Sequence, residues 1–283
     1  MTPSDRSMLV TDQAGAHVVL TDEVGLVLRE WRVDGDPAWG LPNEAKAVGW
    51  SGERMLLVTD SRGFTGLFTW DGDLRWRVDE GPDANPHSAE LLSDGRVAVA
   101  SSDGGTVRVH RGVGQGDADE QGGLIAEAAL HDAHGLAWDP ARGGLWALGG
   151  RWLVHWSWQS GIAALHETFR TELPSAHGHD LAWERGQHPD RLWVTTDYGV
   201  HSFDVRRRQW LPPEPVCLRS ARGVKSIGRS AAGDVLYTQA DEEWWTDSLN
   251  ILTEESSREN GRPERVRLAG MRIYKARWAE GDR

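Results

Sequence analysis

HGHDLAWERGQHPDRLWVTTDYGVHSFDV, residues 177–205, holds three short β-type runs in succession. HGHDLAW (177–183) leads, RLWVTTD (191–197) follows with β-branched and aromatic residues, and VHSFDV (200–205) comes third. The same order recurs along the chain. Second-type runs are MLVTD (8–12), RMLLVTD (54–60), RVAVASSD (96–103), GLWALGG (144–150) and DVLYTQAD (234–241). Each is followed by a polar or glycine-rich turn and another strand: HVVLT, FTGLFTW, TVRVH, WLVHWS and SLNIL. Further leading runs read EAKAVGW (44–50), NPHSAELL (85–92), DAHGLAW (132–138) and RGVKSIG (222–228). The first repeat has no leader at the N-terminus, and RIYKARW (272–278) supplies one from the far end of the chain.

A four-stranded unit repeating every ~40–50 residues is a propeller blade. Six leaders predict six blades. The C-terminal strand completes the first blade, which removes the open sheet edge. The fold class is therefore all-β, one six-bladed β-propeller domain over residues 1–283. No segment keeps a 3.6-residue apolar period, so helices should be few. Residues 111–123 and 253–263 are glycine- or charge-rich and read as surface loops. Composition agrees: 33 Gly suit many tight turns, and 16 Trp against 4 Phe and 3 Tyr suit one large plug used repeatedly. The strand-end Trp50, Trp138, Trp183 and Trp278 are expected to pack between blades.

A formal charge of −12 argues against nucleic-acid or anionic-membrane partners, both of which require a basic face. Cys217 is the only cysteine, so no intrachain disulfide forms, which suits a reducing compartment. The first residues lack an apolar run of signal-peptide or membrane-span length. A cytoplasmic monomer is the expectation.

In a propeller the leading strands line the axis and begin at one mouth. Aligned on their leaders, Lys46, His87, His134, His179, Lys225 and Lys275 form one ring, three neighbouring His facing three Lys. The register of Lys275 is the least secure, since it lies three residues before its Trp where Lys46 lies four. His87, His134 and His179 would hold a divalent transition metal (Zn, Mn, Fe or Cu) and leave positions open for water or substrate. His177 is a fourth ligand or a proton shuttle. Lys46, Lys225 and Lys275 would bind a small anionic molecule, with Lys225 the preferred catalytic base. The loop ADEEWWTDS (240–248) should overhang this mouth, its Glu242 and Glu243 available for acid–base work and Trp244 and Trp245 for stacking. The plainer alternative is that each lysine pairs with a nearby carboxylate such as Glu242 or Glu243, leaving a neutral plug. Asp12, Asp60, Asp103, Asp197 and Asp241 recur after the second strands, where turn formation accounts for them. Phosphate-binding glycine loops, GxSxG, HExxH and CxxC pairs are absent from the sequence.

The phrases HSAELLSDGRVAVASS, HGLAWDPARGGLWALGG, GHDLAW, VKSIG, YTQADEEWWTDSLNIL and RIYKARW resemble a bacterial domain family of unknown function. The resemblance spans nearly the whole chain and implies a propeller with the same His and Lys positions; shorter loops are the main departure. HGHD (177–180) with axial lysines is more distantly similar to oligogalacturonate lyases. These are metal-dependent propellers with a histidine cluster, seven blades and longer chains. Two functions follow as expectations. One is a metal-dependent lyase or hydrolase acting on a uronate-like or other carboxylate substrate at the channel mouth. The other is a non-enzymatic propeller serving as a ligand sensor or interaction scaffold. Titratable groups gathered on the axis favour the first.

Overall fold

Val97–Ser101, VAVAS, is buried along its whole length, as a strand pressed by sheets on both faces must be. The same holds for Met8–Asp12 and Gly144–Leu148, the second strands of two other blades. Outer strands are half exposed: Val27–Trp31 and Leu74–Asp79 bury mainly Trp31 and Trp76. This gradient from axis to rim is the burial pattern of a propeller. The computed structural model describes residues 6–114, 122–159, 161–186, 188–259 and 261–280. Within them, strands β1 to β24 group in fours into six antiparallel sheets.

Five sheets run in simple chain order, and in the sixth the C-terminal strand β24 stands beside β1, which is followed by β2 (His17–Thr21) and β3 (Val27–Trp31). Strand β24 (Ile273–Trp278) pairs with β1 (Met8–Asp12) through Met8↔Trp278, Leu9↔Arg277 and Val10↔Ala276. Six blades and C-terminal closure are thus as expected. Every residue of β24 is buried.

Each blade packs on the next through large side chains. Trp146 of one blade meets Phe203 of the following one at 5.5 Å between ring centroids, edge to face. Trp31, Trp76, Trp146 and Trp193 are the deeply buried plugs. The strand-end tryptophans behave differently. Trp50, Trp138 and Trp183 are half-buried and face the bottom of the ring. They reach neighbours by hydrogen bonds as well as by packing: Trp183 Nε1 donates to the Trp138 carbonyl at 2.8 Å, and Trp278 Nε1 to the Gly228 carbonyl at 3.1 Å.

Part of the expected loop at 253–263 is a short helix, Glu254–Arg258, whose N-cap Thr253 accepts a hydrogen bond from Ser256 N at 3.1 Å. Of the expected loop 111–123, residues 115–121 lie outside the described residues. No helix among the described residues is long and apolar enough to cross a membrane.

Candidate functional site

The inner strands carry a repeated irregularity that sets the site. In β8 (Pro86–Leu91), Pro86 pairs with Ser101 and Ser88 with Ala100, so His87 is the extra residue of a bulge. His179 is skipped in the same way in β16 (Gly178–Glu184), Lys225 in β20 (Val224–Arg229) and Asn43 in β4 (Pro42–Trp50). His134 immediately precedes β12 (Gly135–Asp139), and its N–H donates to the Leu148 carbonyl at 2.8 Å. In β24, Tyr274 and Lys275 together face Thr11 between the pairs Asp12↔Ile273 and Val10↔Ala276. A bulge re-aims one side chain while the ladder resumes on either side. The mouth ring is therefore Asn43, His87, His134, His179, Lys225 and Tyr274.

This corrects the expected ring at two places. Lys46 lies three residues past Asn43 and Lys275 one past Tyr274, and both point into the axis below the mouth. Lys46 Nζ sits 2.7 Å from Glu90 Oε1 and 3.2 Å from Glu44 Oε2, and it donates to the Ala89 and Leu136 carbonyls at 3.2 and 3.1 Å. Lys275 Nζ is 3.1 Å from Asp180 Oδ1, and Arg277 ties Asp180 to Glu44. Of the six charged groups, three of each sign, Glu44, Lys46, Asp180, Lys275 and Arg277 are buried and Glu90 is half-buried. Burial opposes ionisation of Glu44 and Asp180, yet Lys46, Lys275 and Arg277 hold Glu44, and Arg277 and Lys275 hold Asp180, below the usual carboxylate range. Burial would likewise lower Lys46, but Glu44 and Glu90 raise it. The cluster is a neutral plug, the plainer alternative, built on Glu44, Glu90 and Asp180 rather than on Glu242 and Glu243.

Above the plug the three histidines meet. The His87 and His134 rings lie 4.1 Å apart between centroids, and His134 and His179 5.5 Å apart. Tyr274 Oη is 3.3 Å from His87 Nδ1. His134 Nδ1 is 3.1 Å from Asp132 Oδ1; a carboxylate only accepts, so that nitrogen carries the proton and Nε2 is left as an acceptor. His179 Nε2 lies 2.5 Å from Asp197 Oδ1 and 2.9 Å from Lys225 Nζ, while its Nδ1 is buried without a hydrogen-bond partner.

Electrostatics favours neutral bases here. Burial, then the neighbouring Lys225 and His134 charges, push His179 down to about 4 against the pull of Asp197. Burial chiefly lowers His87 well below its ordinary value. Burial also lowers Lys225, with Asp197 opposing and Lys275 assisting. Tyr274 is raised by burial and by nearby carboxylates, so its hydroxyl keeps its proton.

The other expected residues fall at the margin. His177 is exposed, with its backbone in the left-handed region (φ 62°), and its carbonyl accepts from Asp197 N at 3.1 Å. Glu242 and Glu243 are exposed. Trp244 is 47% exposed, and its Nε1 donates to Gln13 Oε1 at 2.9 Å; Gln13 in turn donates to Asn43 Oδ1 at 3.2 Å. That chain ties the 240–248 loop to the ring. Trp245 stacks under Arg272 at 5.1 Å.

Four residues of the mouth escaped the sequence reading: Asn43, Tyr274, Asp132 and Asp197. Asp12 and Asp60 do cap their own turns, accepting from Ala14 and Arg62 backbone N–H groups. Asp197 occupies the equivalent turn but spends its carboxylate on His179.

The axial histidines do not draw three ligand atoms within 4.8 Å of one another. Among the described residues the trio that does so is Glu184, His188 and Glu214, toward the opposite face. Arg229 stands 3.5 Å from Glu184 and Arg191 3.6 Å from Glu214, so that cluster already has its counter-charges.

Solved structures share the architecture. A protein of unknown function from Bacteroides caccae matches with a TM-score of 0.66 at 11% identity, over 96% of this chain and 98% of that one. A catalytically inactive virginiamycin B lyase from Staphylococcus aureus with quinupristin matches with 0.56 at 16%, over 95% and 83%. The selenomethionine-substituted form of the Staphylococcus aureus lyase gives 0.55 at 14%, over the same shares. At these identities the similarity concerns the fold. No curated protein sequence matches the chain. The profile of one family covers residues 37–282, and the chain belongs to that family of unknown function, DUF6528.

Proposed function

We propose that the histidine mouth is the active site of a lyase or hydrolase that removes a proton from a small carboxylate-bearing substrate, such as a uronate-like sugar acid. The contact that carries this reading is Lys225 Nζ to His179 Nε2 at 2.9 Å, with Asp197 on the same nitrogen at 2.5 Å. To bond Asp197, Nε2 must hold a proton, and an N–H faces an amine productively only when that amine is neutral. Burial favours the neutral amine at Lys225. A neutral amine at a partly open mouth is a base. Lys225 takes the substrate proton, the Asp197 carboxylate 4.0 Å away stabilises the ammonium that forms, and the Tyr274 hydroxyl on the adjoining blade donates to the departing or developing oxygen. In elimination, the C–H pair becomes the new double bond and the β-oxygen leaves with its electrons; in hydrolysis, the same base deprotonates water.

Charge decides what else is required. With Lys225 a neutral amine, Asp132 and Asp197 uncompensated and the plug below neutral, the mouth offers an anion hydrogen bonds from Lys225 and Tyr274 but no net charge attraction of its own. A divalent metal would supply it by neutralising and polarising the substrate carboxylate. His87 and His134 suit that group: each has Nδ1 anchored, on Tyr274 and Asp132, which leaves Nε2 to ligate. His179 fits less well, because its Nε2 is engaged.

The test is a lyase assay on uronates and other β-substituted acids, followed by the absorbance of the new conjugated double bond, with and without added divalent metal. Turnover lost in Lys225→Met and reduced in Tyr274→Phe supports the reading. Turnover unaffected by Lys225→Met overturns it.

A further inference from the structure

The far end of the ring carries a concavity of about 1000 Å³, at the upper end of the ~300–1,000 Å³ usual for ligand pockets. We infer that this bowl, remote from the histidine mouth, is a second site that binds a neutral oligosaccharide, and this does not rest on the proposed reaction.

Three half-buried indoles, Trp50, Trp138 and Trp183, line it. The polar edges of two are already used within the protein: Trp138 Nε1 donates to Ser93 Oγ at 2.8 Å and Trp183 Nε1 to the Trp138 carbonyl at 2.8 Å. Trp50 lies against the turn at Gly95, where an added Cβ would come within 2.3 Å of its ring. The rings are therefore fixed, and what they can offer a ligand is flat carbon surface, which suits the C–H faces of pyranose rings.

The wall groups select a neutral ligand. Arg142 bridges Asp139 at 2.8 Å and Asp190 at 3.1 Å, and Arg206 also meets Asp190 at 2.8 Å. Glu90 is paired with Lys46 of the axial plug. Such pairs cancel in charge while holding carboxylate lone pairs and guanidinium N–H groups in set directions, the complement of vicinal hydroxyls. A ligand carrying net charge would gain attraction from one partner and repulsion from the other. Glu184, buried in the bowl wall, is likewise paired: its Oε2 accepts from Ser202 at 2.9 Å and its Oε1 faces Arg229 at 3.5 Å.

The full chain is screened on an array of neutral and acidic glycans, and the best neutral trisaccharide is titrated by tryptophan fluorescence. Saturable binding is expected, weakened at least tenfold in Trp183→Ala and in Asp190→Ala and unchanged in Lys225→Met. Asp190 is half-exposed at the bowl rim, so its variant keeps the test open should Trp183→Ala fail to fold. Absence of any neutral glycan signal overturns the inference, as does binding that survives Asp190→Ala and Trp183→Ala or that is lost in Lys225→Met.

Discussion

Lys225 and His179, which are 46 residues apart in sequence, stand on adjacent blades with Nζ and Nε2 2.9 Å apart. A β-bulge in each strand puts them there, and burial lowers both pKa values. Two bases sharing one contact and one carboxylate cannot all hold their protons at once.

The histidines should make the protein acid-sensitive. His179 falls to about 4 and His87 falls well below its ordinary value, whereas the unfolded chain binds protons near 6.5. Between those values the unfolded state holds more protons, so stability rises with pH from about 4 to about 6.5 and levels off above. For chelator-treated protein, urea unfolding at pH 7.5 and 4.5 should differ by roughly 2–3 kcal/mol from His179 alone. His179→Gln should flatten that part of the slope. An unchanged slope would show that His179 takes up its proton in the folded protein as it does in the unfolded chain.

The axial plug should be structural. Asp180→Ala leaves Lys275 and Arg277 buried beside a vacant counter-charge and is expected to cost about 3–5 kcal/mol. Lys46→Met and Lys275→Met should be destabilising for the same reason, whereas Lys225→Met should fold with a near-normal melting curve. Denaturant titration of the four variants checks this ordering.

Ring closure rests on β24. Truncation after Gly270 removes the partner of β1 together with Lys275, Arg277 and Trp278, and should give aggregation or unfolding. A monomeric truncated protein with an unaltered melting curve would contradict closure by this strand.

Metal binding at the mouth should follow the anchored rings. His87→Ala and His134→Ala are expected to reduce bound Zn or Mn at least tenfold, with β-rich circular dichroism intact, as measured by equilibrium dialysis. Retention of metal by both variants, with its loss in Glu184→Gln, would place the ion at the other face.

The blades were legible because their strands repeat composition and order, and closure because RIYKARW (272–278) matches the other leaders. The three histidines and Lys225 were legible by the same repeat. Lys46 and Lys275 were misplaced because a bulge has no composition signature. Counting four residues back from the strand-end Trp reaches His134, His179 and Tyr274, but the neighbouring Lys275 was preferred for its charge; Asn43 stands seven before Trp50, so the count landed on Lys46. A shift of one or three residues on an inner strand separates the mouth from the plug. Asp132 and Asp197 were hidden by their residue type, since a turn Asp that caps its own backbone and one that orients an imidazole read alike.

The most direct test of the mouth as a functional site is the melting temperature in galacturonate or citrate with Mn at low salt, for wild type and Lys225→Met. A ligand that binds only the folded mouth raises the wild-type melting temperature by mass action. The expected result is a concentration-dependent rise for wild type, reversed by salt, and none for Lys225→Met, whose unliganded melting temperature stays close to that of the wild type. A wild type that no carboxylate stabilises, or a Lys225→Met variant that keeps the full rise, would contradict the account.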